Sequence, residues 1–326
     1  MKALVTGATG FVGSWLTREL CQRGFEVRII CRNPDSVIEF RDLPVEIVAG
    51  DVTQPESLAL ACRDIHSVFH LAGVVGYSRA MRFAMDEVNV EGTRNMVQAA
   101  LAHNVQRFIH MSSVVAVGAS FDGTPLNEDS PFNLGHLNLG YFETKRLAEE
   151  IVKTAVRERG LNAVMLNPST IYGSGDAKKG SRSTQVKVAR GSFPFYTSGG
   201  VSIIAIEDIV TSILAAWEKG RTGERYILSG ENITIKTLFE IIAAEAGVKP
   251  PRIYLPNPIV HALGKLGDAL ESIGKKGPIN TENAWTSTLF HWFDSSKAQR
   301  ELGLKPRPAQ QAIAASVQWM KDNHVI

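Results

Sequence analysis

The chain opens with a short apolar run that passes, through three glycines, into an amphipathic stretch. Residues 3–6 predict a buried strand and residues 11–23 predict a helix. The junction holds Gly7, Gly10 and Gly13. Glycines at this spacing allow a tight turn, let the backbone approach a pyrophosphate and let the helix pack closely on a sheet. The free N–H groups and the dipole of the helix N-terminus would then favour an anion, so this opening predicts a dinucleotide-binding βαβ unit.

Strand patterns alternate with longer helical patterns over the first half of the chain. Besides residues 3–6, runs rich in apolar residues predict strands at 27–30, 45–48, 67–70, 107–110 and 163–166. Helical spacing of apolar residues predicts helices at 11–23, 55–63, 80–103 and 140–159. This alternation is typical of βαβ units. We therefore predict an α/β fold with a Rossmann-type, doubly wound parallel sheet and helices on both faces.

Beyond about residue 168 the pattern becomes mainly helical. It predicts helices at 182–195, 207–219, 234–246, 258–273 and 309–322, with short strands at 226–228 and 252–254. We predict a dinucleotide-binding Rossmann domain over residues 1–170. Residues 171–326 are expected to form mostly a smaller C-terminal α/β substrate-binding subdomain, with some strands and helices returning to the Rossmann core.

Composition narrows the class of protein. The 326-residue chain is 44% hydrophobic and 21% charged with a net charge of +2, which suits a globular enzyme and does not favour nucleic acid as a partner. Cys21, Cys31 and Cys62 form no CxxC pair, so we expect no disulfide framework, no metal site and a reducing, cytoplasmic location. We expect no membrane span, because no run of about 18 uncharged apolar residues occurs. The strand pattern that follows Met1 leaves no room for a signal peptide.

The end of the second predicted strand bears on the choice of cofactor. An NAD site usually places a carboxylate here to accept hydrogen bonds from the ribose 2′-hydroxyl. The sequence instead offers Cys31 and then Arg32, whose guanidinium suits a 2′-phosphate. We therefore predict that NADP(H) is preferred and that NAD(H) is possible. The alternative is that Arg32 is an ordinary surface arginine.

Further motifs follow the predicted strands. They are Gly50-Asp51-Val52, His70-Leu71-Ala72-Gly73, Ser112-Ser113, Tyr141 to Lys145, Asn167 to Gly173, Ile206-Glu207-Asp208, Glu224 to Gly230, and Phe293 to Gly303. With the glycine loop, they resemble the extended short-chain dehydrogenases/reductases of the NAD-dependent epimerase/dehydratase family over essentially the whole chain. Within that family the chain looks most like dihydroflavonol-4-reductase-like and hopanoid-associated sugar epimerase-like proteins.

The resemblance implies cofactor-binding roles at these strand ends. The residues are, for the glycine loop, Gly7, Thr9, Gly10, Phe11, Val12 and Gly13; for the ribose 2′ position, Arg32; for the adenine, Asp51 and Val52; for the ribose and nicotinamide, Leu71, Ala72, Gly73, Tyr141 and Lys145; and for the carboxamide side, Pro168 and Ser169. The resemblance also implies a homodimer in which two helices pair with their symmetry mates. Those helices lie near residues 86–103 and 141–158.

The catalytic group implied by the resemblance is Ser113, Tyr141 and Lys145. Tyr141 and Lys145 are four residues apart, so they share one face of the predicted helix. A nearby ammonium should lower the pKa of the Tyr141 phenol, which can then exchange a proton with a carbonyl or alcohol oxygen. Ser113 would stabilise charge on the same oxygen. Ser112 competes for that role, but the family spacing counted back from Val117 favours Ser113.

Three functions are compatible with these residues. The leading one is an NADP(H)-dependent oxidoreductase that reversibly reduces a ketone or aldehyde, with Tyr141 as proton donor. The alternative is an NAD(P)-dependent nucleotide-sugar epimerase, for which Asn167 could contact a substrate diphosphate. A dinucleotide-binding regulator is a third, but such regulators commonly lack the tyrosine or lysine. Acidic residues that would follow Ser113 in the 4,6-dehydratases are replaced by Val114-Val115.

Two sets of residues bear on the substrate. A basic set could meet a pyrophosphate or simply be solvated, and consists of Lys178, Lys179, Arg182, Lys187 and Arg190. An apolar and aromatic set could wall the pocket or simply form core, and consists of Tyr77, Met81, Phe83, Phe193, Phe195, Tyr196, Trp285, Phe290 and Trp292. The second set favours a small apolar carbonyl compound over a sugar.

Overall fold

A parallel sheet of seven strands forms the centre of the molecule. The computed structural model describes residues 1–177, 182–275, 277 and 279–326. Numbered along the chain, the strands are β1 (Lys2–Thr6), β2 (Glu26–Cys31), β3 (Val45–Ala49), β4 (Ser67–His70), β5 (Arg107–Met111), β6 (Ala163–Pro168) and β10 (Arg225–Leu228). They are ordered β3-β2-β1-β4-β5-β6-β10, and every pair is parallel. The predicted Rossmann-type sheet is confirmed.

Helices cover both faces of this sheet. One face carries α1 (Phe11–Gln22), α7 (Ile206–Lys219) and α11 (Ser296–Leu302), and the other carries α2 (Pro55–Ala61), α4 (Gly92–Ala102) and α5 (Gly140–Arg159). Successive side chains of a strand point to opposite faces. In β1, Ala3 and Val5 therefore pack with the first set of helices, whereas Leu4 packs with the second. Burial on both faces explains the nearly continuous apolar runs of these strands.

The segment between β4 and β5 differs from the single helix predicted over 80–103. It contains a 3-10 turn at Arg79–Met81, a short helix α3 (Arg82–Met85) and a π-helical stretch at Asp86–Glu91, and only then α4. The amide of Asn89 explains the irregularity, because it donates to the carbonyl of Val74 (2.9 Å) and accepts from its N–H (2.7 Å). Tying one turn to a neighbouring loop favours the wider π geometry, which often occurs at functional sites.

The second half of the chain builds two smaller sheets and the remaining helices. A four-stranded sheet contains β7 (Thr170–Tyr172), β9 (Gly200–Ala205), β11 (Glu231–Thr234) and β13 (Phe290–His291), and a two-stranded one pairs β8 (Phe195–Tyr196) with β12 (Ile253–Tyr254). The helices are α6 (Ser183–Ala189), α8 (Ile235–Ala246), α9 (Asn257–Glu271), α10 (Thr281–Thr288) and α12 (Ala309–Asp322). No helix among the described residues is long and apolar enough to cross a membrane.

Two predictions about the second half of the chain are affected by the structure: one is corrected and the other is extended. The helix predicted over 182–195 ends at Ala189, because Gly191 adopts φ +68° and Phe195 enters a strand. Strand β10, which pairs with β6, shows that the second half contributes directly to the central sheet. The division into domains at residue 170 remains a prediction.

Candidate active site

The glycine loop lies where the strand order of the central sheet reverses, between β1 and β4. Gly7 has φ +69°, and a Cβ there would lie 2.7 Å from the backbone nitrogen of Ala72. A Cβ on Gly13 would collide with the carbonyl oxygen of Gly7. Backbone therefore packs on backbone at both positions. Helix α1 then begins with Gly10 as its N-cap and no side chain capping it, which leaves a helix N-terminus suited to an anion.

The residues predicted to bind the cofactor lie along one edge of the sheet. Because all seven strands are parallel, their carboxyl ends meet at this edge, where open α/β sheets bind ligands. In strand order across the edge, they are Asp51 and Val52 after β3, Arg32 after β2, Gly7 to Gly13 after β1, Leu71 to Gly73 after β4, and Pro168 and Ser169 at the end of β6. The structure therefore places them as the sequence predicts.

The residues predicted to bind the cofactor differ in the polar groups that they could present to a ligand. Arg32 is exposed and has no hydrogen bond or ion pair to any described residue. Asp51 binds the N–H of Thr53 through its carboxylate (2.9 Å). The side chain of Val52 lies in the core. The buried hydroxyl of Ser169 has no partner among the described residues, so it can accept or donate to a ligand.

Ser113, Tyr141 and Lys145 are brought together at this edge. Ser113 follows β5, while Tyr141 and Lys145 lie in the first two turns of α5. The Ser113 side chain interacts with the Tyr141 phenol, and the Lys145 ammonium donates to the carbonyl oxygen of Met111 (3.0 Å). The hydroxyl of Ser112 is buried without a partner among the described residues. The geometry thus favours Ser113 over Ser112, as the sequence argument did.

The pKa of Tyr141 differs from the expectation, and that of Lys145 is also shifted. Burial raises the pKa of the Tyr141 phenol, helped by the nearby Tyr77, and the hydrogen bond from Ser113 opposes this only in part. The predicted lowering of this pKa by Lys145 is not found, because the Lys145 ammonium is directed at Met111. Burial also lowers the pKa of Lys145 to about 8, against the attraction of Glu149. At neutral pH the site therefore holds a neutral phenol beside an ammonium ion.

A polar chain beneath the glycine loop was not identified from the sequence. Thr6 Oγ1 contacts His70 Nδ1 (2.8 Å), and His70 Nε2 contacts Thr93 Oγ1 (3.1 Å). Thr93 donates to the carbonyl of Asn89 (2.7 Å), whose amide donates to Thr144 on α5 (3.2 Å). This series of hydrogen-bonded side chains connects the glycine loop to α5, the helix that carries Tyr141 and Lys145. These residues are far apart in the sequence, and no local pattern indicates that they meet.

Asn167 does not have the role suggested for an epimerase. The residue is fully buried, and its amide nitrogen donates to the carbonyl of Ser113 (2.9 Å) and to the carboxylate of Glu149. Its N–H groups are committed inside the protein, so they cannot contact a substrate diphosphate.

The described members of the basic set, Arg182, Lys187 and Arg190, do not form a free cationic patch either. Arg182 lies over the ring of Tyr172 and pairs with Asp176 (3.4 Å). Arg190 donates to the carbonyl of Val325, and Lys187 is exposed. Lys178 and Lys179 lie outside the described residues.

The ring of Tyr141 belongs to an apolar cluster. The buried members of this cluster are Met85, Val115, Ala119, Leu134, Leu139, Tyr141, Phe142 and Leu289, and Val74, Tyr77, Phe132, Leu137 and Trp285 pack against it. The ring of Tyr77 meets that of Tyr141 edge-on, with centroids 5.9 Å apart.

Several aromatic residues predicted to wall the pocket belong elsewhere. Phe193 and Tyr196 pack with the core around α8, where Phe193 meets Phe195 and Phe239 edge-on. Phe290 and Trp292 pack on each other near Gly200. Met81 and Phe83 are exposed. Of the predicted aromatic wall, only Tyr77 and Trp285 join the cluster around Tyr141.

A doubly wound sheet with this glycine loop defines a dinucleotide-dependent enzyme of the α/β class. The family model of the NAD dependent epimerase/dehydratase family matches residues 3–229, which is more than half of the chain. The chain belongs to this family, that is, to the extended short-chain dehydrogenases/reductases. Its relatives are named as reductases and dehydrogenases, so the predicted oxidoreductase class is confirmed.

Individual relatives agree with the predicted subgroup. A Synechocystis protein bearing the name of a dihydroflavonol 4-reductase is 30% identical over 98% of this chain and 94% of its own length. Sterol demethylase protein B of Methylococcus capsulatus is 32% identical over the full length of both chains, 100% of each. The crystal structure of gox2253 is 34% identical, covers 99% of each chain and superposes with a TM-score of 0.88.

The packing of the glycine loop yields a first prediction. Gly13→Ala should lower the free energy of unfolding by about 1–3 kcal/mol, because its Cβ must displace the backbone of Gly7. Urea unfolding followed by circular dichroism measures this. Gln22→Ala, at an exposed position of the same helix, is the control and should stay near the wild type. Equal stability of Gly13→Ala and the control would contradict the close packing.

Proposed function

We propose that this protein is an NADP(H)-dependent reductase that reversibly converts a ketone or aldehyde to an alcohol. The observation that carries the proposal is the convergence of Ser113, Tyr141 and Lys145 beside the glycine loop, at the carboxyl edge of the sheet. The uncapped N-terminus of α1 and the unpartnered hydroxyl of Ser169 fit the pyrophosphate and the nicotinamide end of a dinucleotide. The bound dinucleotide would supply the hydride.

The chain's own residues would handle the proton and the oxygen. Tyr141 donates its phenolic proton to the carbonyl oxygen, while the hydroxyl of Ser113 hydrogen-bonds the same oxygen and stabilises its developing charge. Lys145 remains an ammonium ion and would hold the nicotinamide ribose in place. Burial raises the pKa of Tyr141, so the phenol is protonated at neutral pH. This favours reduction over oxidation near neutrality.

The substrate we propose is an apolar carbonyl compound. Tyr141 is surrounded by an apolar cluster that includes Tyr77 and Trp285. Two of the groups that could have bound a sugar diphosphate, Asn167 and Arg182, are bound to other parts of the chain. Relatives named for a flavonoid and a sterol agree with a ring compound. These observations favour reduction over the epimerase alternative.

Location and assembly are also proposals. All three cysteines are free thiols, which suits the reducing cytoplasm. For a homodimer through α4 and α5, the apolar residues that these helices were expected to present to a partner need correction. Val90, Met96, Val97 and Val152 are buried within the protomer and cannot reach a partner. A symmetric interface would have to use half-exposed residues of the same helices, such as Ala99, Leu101, Leu147, Ile151 and Thr154.

The proton donor is tested by three variants. Tyr141→Phe should fold normally and lose about 10²–10⁴-fold in turnover, because only the general acid is removed. Ser113→Ala should lose somewhat less, and Lys145→Met should lower turnover and weaken cofactor binding together. Turnover is followed by NADPH absorbance over a panel of ketones, with the retained fold checked by circular dichroism. Retention of more than about a tenth of wild-type turnover by Tyr141→Phe would place the proton source elsewhere.

The lowered pKa of Lys145 predicts the pH dependence of reduction. The ammonium form exists below its pKa of about 8, so kcat should be level near neutrality and fall through about pH 8. Both kcat and the Tyr141→Phe residual rate are measured from pH 6 to about pH 10. A wild-type kcat that rises across this range would contradict a role for the ammonium form.

Cofactor choice is tested at Arg32. The double substitution Arg32→Asp with Cys31→Gly should reverse the preference from NADP to NAD, because attraction for a 2′-phosphate becomes repulsion. Each charge-assisted hydrogen bond lost is worth about 1.5–3 kcal/mol. Isothermal titration measures both affinities, and Arg41→Asp, an exposed arginine downstream of β2, is the charge-matched control. Wild-type protein that binds NAD as tightly as NADP would refute the proposed preference.

The assembly is tested on α5. Ile151→Glu places a charge in the proposed interface and should convert a dimer to a monomer at micromolar concentration, as measured by light scattering. Thr211→Glu on the exposed face of α7 is the control and should leave the mass unchanged. A monomeric wild type would refute the dimer.

A further inference from the structure

Helix α5 carries a fully buried carboxylate that the proposed mechanism does not use. Glu149 lies one turn after Lys145 and two turns after Tyr141. A buried carboxylate is costly unless it is paired and hydrogen-bonded. Here one oxygen pairs with the guanidinium of Arg225 on β10 (2.6 Å), and the other accepts from the amide of Asn167 on β6. The ammonium nitrogen of Lys153, a partly exposed residue, lies 3.7 Å from the carboxylate oxygen that pairs with Arg225.

The contact with Asn167 extends to the backbone of Ser113. A carboxylate only accepts hydrogen bonds, so it requires the amide nitrogen of Asn167, rather than its oxygen, to face it. The same nitrogen donates to the carbonyl oxygen of Ser113 (2.9 Å). If the amide flipped, two carbonyl oxygens would face each other and that contact would be lost. Glu149 therefore sets the orientation of the group that holds Ser113 in place.

Glu149 also acts on Lys145. Burial lowers the pKa of Lys145 to about 8, and the negative charge of Glu149 opposes this lowering. Two other titratable groups face Lys145, namely His70 on β4 and His110 on β5. Burial holds the pKa of His70 at about 3 and that of His110 well below its usual value, so both rings are neutral. Near neutral pH, Glu149 is the negative charge that favours the ammonium form of Lys145.

We propose that Glu149 is a positioning residue of this site: it keeps Lys145 an ammonium ion and fixes the Asn167 amide that holds the backbone of Ser113. The inference rests on the proposed function for its consequences in turnover. One carboxylate thereby supports both sides of the site, the lysine on α5 and the serine after β5. The ion pair with Arg225 serves to stabilise that carboxylate in the interior.

The first part of the proposal, the effect of Glu149 on Lys145, is tested with a matched pair of variants. Glu149→Gln keeps the shape and removes the charge, so the alkaline fall in kcat should move to lower pH by about one unit. Arg225→Gln removes the other member of the ion pair and should leave that fall in place or move it to higher pH. The titration of Lys145 is also followed by NMR in protein that contains isotope-labelled lysine, which does not depend on turnover. The variant Lys145→Met identifies the Lys145 signal. Because Glu149→Gln alone leaves Arg225 unpaired, Glu149→Gln/Arg225→Gln provides a neutral pair that should keep the shifted titration.

The outcomes separate the alternatives. If Glu149→Gln and Arg225→Gln lower the unfolding temperature equally and neither moves the Lys145 titration, Glu149 is a structural ion-pair partner only and the proposal is overturned. A wild type that reduces no carbonyl, but whose Lys145 titration moves in Glu149→Gln, would overturn the reductase function and support the role of Glu149. Asn167→Leu removes the hydrogen bonds that join Glu149 to Ser113 but keeps the ion pair between Glu149 and Arg225, so it should lower kcat without moving the Lys145 titration. Wild-type kcat in Asn167→Leu would overturn the second half of the proposal.

Discussion

The close approach of backbone to backbone at the centre of the sheet is the constraint on which the site depends. Gly7 lies against the backbone of Leu71 and Ala72, and Gly13 lies against Gly7. A single added methyl group at either glycine would separate α1 from the sheet. With the contact in place, the bare N-terminus of α1 faces the same edge as the ends of β4, β5 and β6. The N-terminus of α1 and the group formed by Ser113, Tyr141 and Lys145 therefore share one edge of the sheet because the glycines have no side chains.

The same edge also concentrates polar groups that a parallel sheet would otherwise exclude. Lys145, Glu149, His70 and His110 are all buried. The free-energy cost of burying these polar groups is reduced in two ways. The two histidines remain neutral, whereas Lys145 and Glu149 keep their charges through neighbours that donate or accept hydrogen bonds. Hydrogen bonds and charges are stronger in such a buried environment than in water, and this would strengthen their effect on a substrate oxygen in the proposed reaction.

Local sequence patterns predicted the first half of the chain well. Strands β1 to β6 and helices α1 and α5 begin and end within about two residues of their predicted limits. Their apolar runs and amphipathic stretches are long enough for periodicity to decide. The strands β7, β8, β9, β11 and β13 were missed, and three of them, β7, β8 and β13, are only two or three residues long, which is too short for periodicity to be read. The interruption at Asn89 was also missed, since the side chain of this residue contacts Val74 through hydrogen bonds that no local pattern indicates.

The sequence alone determined the fold and the position of each strand-end motif, because these follow from periodicity and from residue types at short spacings, and it identified the family through the resemblance of those motifs. Only the tertiary structure decided how those residues behave. It committed Asn167 to Ser113 and Glu149 rather than to a substrate, and it directed Lys145 toward Met111. It also raised the pKa of Tyr141 where a neighbouring ammonium was expected to lower it. Burial and hydrogen-bond partners come from segments far apart in the chain, so no local pattern can specify them.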